Sequence, residues 1–173
     1  MRLKYLVLIV FVSVFLSRCA SSATIEGMTV KDYKSEKLIG DKIFIKSVTG
    51  GKKTNPLWVS NISNKNFEEA LKKSVLECNA FSEIEAITYG DWVLEVNIIS
   101  VNRPMGFNLT VKTTIEYKLY NKNKLVFSKN INQSGNATMS DALYGTKRLR
   151  LANEISGRNN IKEMLQSLKG VTQ

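Results

Sequence analysis

The chain has 173 residues, with 25 Lys and Arg against 15 Asp and Glu, two Cys and no His. That length suits one domain able to bury about 70% of its unfolded surface. The lack of His excludes His-based acid–base chemistry, His-containing triads and most zinc sites, and two Cys exclude a disulfide-rich scaffold.

Arg2 and Lys4 open the chain, and residues 5–16 form an apolar run broken only by Ser13. This run falls short of the ~20 residues of a spanning helix but suits the hydrophobic region of a signal peptide. Leu16-Ser17-Arg18-Cys19 follows, with Ala20 behind it. These residues resemble the lipobox of bacterial lipoproteins, departing from it at Arg18, where that pattern has Gly, Ala or Ser. The resemblance implies a leader over residues 1–18, acylation of Cys19 and, from Ala20, sorting to the outer membrane on its periplasmic face. Two alternatives stay open at this point. Ser21 and Ala23 offer small residues for a cut after Ala23, which would release a soluble periplasmic protein, and the apolar run could also remain as an uncut anchor.

Removing residues 1–18 takes away Arg2, Lys4 and Arg18 and no acid, leaving 22 basic against 15 acidic side chains. The balance favours anionic surfaces such as lipid headgroups; an exported protein rarely meets nucleic acid, so none is expected as a partner. Residues 19–40 read as the lipidated Cys and a polar tether, with a short strand around Met28 and Val30, and residues 41–173 as a single domain.

Within the domain, residues 41–48 are β-branched and aromatic and predict a first strand. Gly50-Gly51-Lys52-Lys53-Thr54 predicts a loop. It is only superficially like a Walker loop, since the first Gly is missing and Lys53 stands where the hydroxyl belongs. Asn66, with Glu69 three residues on, predicts a helix start; Phe67, Ala70, Leu71, Ser74, Val75 and Cys78 then fall on one helical face. Cys78 therefore reads as a buried, inert thiol.

Residues 92–101 predict a strand, and residues 107–119 alternate apolar and polar for their whole length, the strongest signal in the chain. Asn121-Lys122-Asn123-Lys124 predicts the turn to a hairpin partner over residues 125–133, making a three-stranded meander, and residues 135–139 read as a break. From about residue 141 to 169 the pattern is helical, with Leu151, Ile155, Ile161, Leu165 and Leu168 as its stripe and a kink or break expected near Gly157.

The order strand, helix, three strands, helix implies an α+β fold: a two-layer sandwich with a four-stranded, mostly antiparallel sheet and two helices packed on one face. Together with the lipobox, this βαβββα order resembles small outer-membrane lipoproteins of the lipopolysaccharide-assembly type and other small periplasmic lipoproteins. That resemblance implies a non-enzymatic protein that serves as a binding or assembly partner of a cell-envelope machine.

The candidate binding residues are Lys52 and Lys53 in the Gly-rich loop, Trp58 as a lid or recognition aromatic, and the cluster Arg148, Arg150, Glu154 and Arg158. Glu154 stands four residues from both Arg150 and Arg158 and could bridge two guanidiniums, as a surface pair or as part of an anion-gripping patch. No catalytic residue, metal site or cofactor is expected. A second functional reading is a binder of an amphipathic or anionic envelope ligand, a lipid or cell-wall fragment, in a pocket lined by Trp92, Phe107 and Tyr117.

Overall fold

The longest alternating run in the sequence becomes the central antiparallel strand of a sheet. The computed structural model describes residues 20–55, 59–87, 91–103 and 108–171; Cys19, Trp58, Phe107 and the expected leader lie outside them. Strand β4 (Leu109–Asn121) buries Val111, Thr113, Ile115, Tyr117 and Leu119, every second residue, and turns the intervening residues outward. It pairs antiparallel with β3 (Trp92–Asn102) and β5 (Lys124–Ala137), which gives the expected meander. The β4–β5 hairpin closes through Lys122 and Asn123 at φ 48° and 65°, the left-handed pair a two-residue turn requires.

In β3 a bulge between Ile98 and Ser100 leaves Ile99 exposed and returns Val101 to the core face opposite Thr113. That extra residue explains why apolar side chains occur on both faces of β3 in the sequence.

The rest of the sheet corrects the expected four strands to five, in mixed orientation. Strand β1 (Gly40–Ile45) lies inside the sheet and pairs in parallel with both β3 and a further strand, β2 (Phe81–Glu85), giving the order β2-β1-β3-β4-β5. Five residues with only Phe81 fully buried carry no alternation, so β2 leaves no mark in the sequence. The parallel strands are staggered: Ile43 pairs with Ile84 near the end of β2 and with Trp92 at the start of β3. The end of β2 and the start of β3 therefore stand at the same level of β1, on its two sides.

Among the described residues three helices, not two, supply the second layer: α1 (Ile25–Met28), α2 (Asn64–Glu77) and α3 (Gly145–Ser167), the last running on into a 3-10 turn over Leu168–Val171. Helix α2 is capped by the Ser63 hydroxyl, which accepts from the Asn66 amide, so the cap falls three residues before the expected one. Its expected apolar face is buried as a whole, Cys78 included.

The segment expected as a tether belongs to the domain. Ala20, Ala23, Met28 and Val30 are buried, and the Met28 region is helix α1 followed by extended chain. The Val30 amide donates to the Ser74 hydroxyl on α2, and Ser35 and Ile39 donate to the carbonyls of Cys78 and Ala80. Side chains such as Ala, Thr and Gly read as polar linker because small residues are what a tightly packed segment needs.

Helix α3 is continuous through Gly157, against the expected break, and β5 extends to Ala137 across the expected one. Each glycine marks a close approach of α3 to a neighbour. A methyl group on Gly135 of β5 would overlap the carbonyl oxygen of Ala152 and the amide nitrogen of Ser156, and one on Gly157 would come within 3.0 Å of Met28 Sδ in α1. Of the expected stripe of α3, Ile161, Leu165 and Leu168 are buried, while in its first half the buried residues include Ala152, Asn153, Ser156, Gly157 and Asn160, and Leu151 and Ile155 sit at the flanks.

Polar groups in this seam pair across it. Asn160 Nδ2 donates to the Ile131 carbonyl (3.0 Å), Ser156 Oγ to the Gln133 carbonyl (3.1 Å), and Tyr117 OH to Asn160 Oδ1 (3.0 Å).

Gly135→Ala should therefore lower stability by about 1–3 kcal/mol, because backbone rather than a flexible side chain fills the space; thermal melts check it. Burial, with a smaller contribution from Glu163, raises the pKa of Tyr117 well above its ordinary value. The raised value means that its stabilising effect is present below about pH 10 and lost as pH rises from there towards the folded value. The melting midpoint should fall above about pH 10, and Tyr117→Phe should flatten that fall while costing about 1 kcal/mol at neutral pH.

Candidate functional site

Helix α3 faces the chain's N-terminal segment through Arg150, Glu154 and Arg158, three of the four residues of the foreseen cluster. Glu154 is 6% exposed. One of its oxygens accepts from both the amide (2.9 Å) and the hydroxyl (2.8 Å) of Thr24, the N-cap of α1, and lies 3.5 Å from Arg150 Nε. A buried carboxylate needs such donors, since desolvation without them would cost several kcal/mol.

Arg150 Nη1 donates to Ser21 Oγ at 3.0 Å, and Arg158 Nη1 to the Gly27 carbonyl at 3.2 Å. Arg158 thus reaches the C-terminal side of the short helix, and the Glu154 pairing seen in the structure is with Arg150. These three residues fasten residues 21–27 to α3. Gly27 is required there, because a side chain would run into the Glu154 carboxyl group.

Arg148 is 8% exposed and differs in kind. Its Nη1 reaches the Ala142 carbonyl at 3.5 Å, and its Nε has no hydrogen-bond partner. It lies at the first turn of α3, beside the loop that leaves β5.

Lys52 and Lys53 are exposed, as a surface contact site requires. Their loop is fixed by its backbone: Lys52 N donates to the Ile62 carbonyl, Gly51 N to Asn64 Oδ1 at 2.6 Å, and the Lys53 carbonyl accepts from Asn61 Nδ2 at 2.8 Å. Gly50 holds φ 80° with no room for a side chain against the Ile98 carbonyl. Asn61 joins this loop to the N-terminal segment, its carbonyl accepting from Ser22 Oγ and Ala23 N, and to Arg103, which donates to Asn61 Oδ1. The sequence reading missed Asn61 and Arg103, and only the turn residues around them hinted at a junction. Trp58 and Cys19 fall outside the described residues.

Of the residues expected to line a pocket, Tyr117 is instead part of the packed interior, with its hydroxyl satisfied by Asn160. Trp92 packs edge-on against Phe81 with ring centres 5.8 Å apart, and Phe107 lies outside the described residues. Shallow depressions occur on the opposite, uncovered face of the sheet. One of about 210 Å³ is lined by Lys46, Glu95, Glu116 and Lys118, among others. Its charges are already paired, Lys46 with Glu95 at 2.5 Å and Lys118 with Glu116 at 2.9 Å.

Cys78 Sγ is buried 3.7 Å from the Val30 carbonyl, and desolvation pushes its thiol up to about 11, which keeps it protonated at neutral pH. Among the described residues no three Asp, Glu or Cys side chains gather as metal ligands, and no helix is long and apolar enough to cross a membrane.

With fold and site in view, comparison places the chain among known structures. No family model matches it, and no curated protein matches it in sequence. A protein of Xanthomonas campestris assigned to family DUF330 superposes with a TM-score of 0.62 over 87% of this chain and 94% of its own, at 8% identity. A hypothetical protein of Chlamydia trachomatis gives 0.55 over 76% and 97%, at 10% identity. A minor lipoprotein of Acinetobacter baumannii gives 0.47 over 78% and 94%, at 8% identity. The first two likenesses show that this α+β architecture occurs in other bacterial proteins of similar size; at such identities they show the fold alone.

Glu154→Ala should strand the Thr24 donors and Arg150 together, lowering stability by about 3 kcal/mol. Brief trypsin digestion should then cut at Lys31 or Lys34 well before the rest of the domain; equal resistance of variant and parent would show that Glu154 does not hold the segment.

Proposed function

We propose that the chain is a lipoprotein of the bacterial outer membrane, acylated at Cys19 and facing the periplasm, whose domain acts without catalysis as a binding or assembly partner in cell-envelope machinery. The observation that carries this reading is the integration of residues 20–23 into the fold. Ala20 is 6% exposed, Ser21 and Ser22 bond to Arg150 and Asn61, and Ala23 is buried with its amide on the Asn61 carbonyl and its own carbonyl receiving Asn66 Nδ2. A cut before Cys19 keeps all of these contacts. A cut after Ala23 discards them, so the geometry favours the acylated form over the soluble periplasmic one.

The absence of His from the sequence and the protonated, buried state of Cys78 support a non-catalytic role. For partner contact the domain offers the exposed Lys52 and Lys53 on a braced loop.

Intact mass and fractionation of the full chain against Cys19→Ala test the reading. The expected result is a chain beginning at residue 19 that carries acyl mass and sediments with the outer membrane, both lost in the variant. A mass that corresponds to a start at Thr24, unchanged in the variant, would replace the proposal with a soluble protein.

A further inference from the structure

The connection from β5 to α3 shows three large apolar side chains to solvent within six residues: Met139 is 51% exposed, Leu143 78% and Tyr144 57%. The loop that displays them is braced. Thr138 donates through its amide (2.7 Å) and hydroxyl (2.8 Å) to Asp141 Oδ2, and the buried Ala142 carbonyl accepts from Arg148. Solvation alone gives no reason to hold Met139 and Leu143 outward.

Their position in the fold supplies one. Arg150, whose guanidinium reaches Ser21, is six residues past Tyr144, about 9 Å along the helix axis. Ser21 is two residues from Cys19, and Ala20, bonded to Cys19, is already packed into the domain. Cations surround the same end: Lys147 and Lys53 are exposed, and Arg103 and Arg150 are half-buried around Asn61 and Ser21. Asp141 is the acid in the loop itself and is occupied by Thr138.

We propose that the 138–144 loop is a membrane-docking element. Met139, Leu143 and Tyr144 enter the interfacial layer of the bilayer beside the acylated Cys19, while the exposed Lys147 and Lys53 face the phosphates of anionic phospholipids. The inference rests on the reading of Cys19 as the lipid-bearing residue. Three side chains are too few for a stable protein interface, which buries about 1,600 Å². They suffice for interfacial insertion once an acyl anchor holds them at the surface, with basic residues adding attraction to anionic headgroups. A tyrosine at such a boundary keeps its ring in the apolar layer and its hydroxyl in the wet one.

The test uses the full acylated chain in vesicles of phosphatidylethanolamine and phosphatidylglycerol, with an environment-sensitive dye on Leu143→Cys. The control carries the dye on Asn123→Cys in the β4–β5 turn, at the far end of strands about 40 Å long. Both sites are exposed, and Cys78 is buried, so labelling is selective and the fold is checked by an unchanged melt.

The expected result is a blue shift and quenching by spin-labelled lipid at position 143 and an aqueous signal at 123. The 143 signal should weaken about twofold or more when phosphatidylcholine replaces both lipids. A dye at 143 that stays in water, or dyes at both positions that enter the bilayer, would overturn the docking. Intact mass on the same sample separates the two readings. Acylated protein with an aqueous 143 dye loses the docking and keeps the anchor; acyl-free protein with a shifted 143 dye loses the anchor and keeps the docking loop.

Discussion

The near-contact between helix α3 and strand β5 governs the rest of this fold. Where Gly135 faces Ala152 and Ser156 there is no space for even one methyl group, so helix and strand meet backbone to backbone. At that distance large apolar side chains cannot fill the interface, and Ala152, Ser156 and Asn160 take their places. Buried polar atoms must then be paired, and they are paired to the sheet: Ser156 and Asn160 donate to carbonyls of β5, and Tyr117 donates to Asn160. An outer strand that pairs along one side only, with β4, is thereby secured by the helix above it.

The same closeness explains what could and could not be read in the sequence. β4 was legible because one face is wet and the other dry over its whole length. α2 was legible because its inner face is made of Phe67, Leu71 and Val75. The second half of α3 was legible through Ile161, Leu165 and Leu168, but the inner line of its first half is written in Ala, Ser, Gly and Asn, so it looked like an interruption, and Leu151 and Ile155 suggested a face that lies at the flank. β2 was hidden because a short strand with a single fully buried residue has no period to detect.

The candidate site was half legible. Charge spacing picked out Arg150, Glu154 and Arg158 as a unit, and they do act together, but on the chain's own residues 21–27 rather than on an outside ligand. Nothing in a Ser-, Thr- and Gly-rich stretch marks it as the other half of that contact, because its role depends on backbone groups common to every residue. The exposed apolar loop was passed over for a related reason: Met139, Leu143 and Tyr144 differ from core residues only in which way the fold turns them.

The bond between Thr24 and Glu154 spans 130 positions of sequence. A chain made from its N-terminal end presents residues 20–30 early and α3 late, so the segment meets Asn61, Asn66 and Ser74 before Glu154 is there to hold Thr24. Residues 61–78 supply one side of its seat, and α3 supplies the other through Arg150, Glu154 and Arg158. A helix made late is in this way the latch on a segment made early.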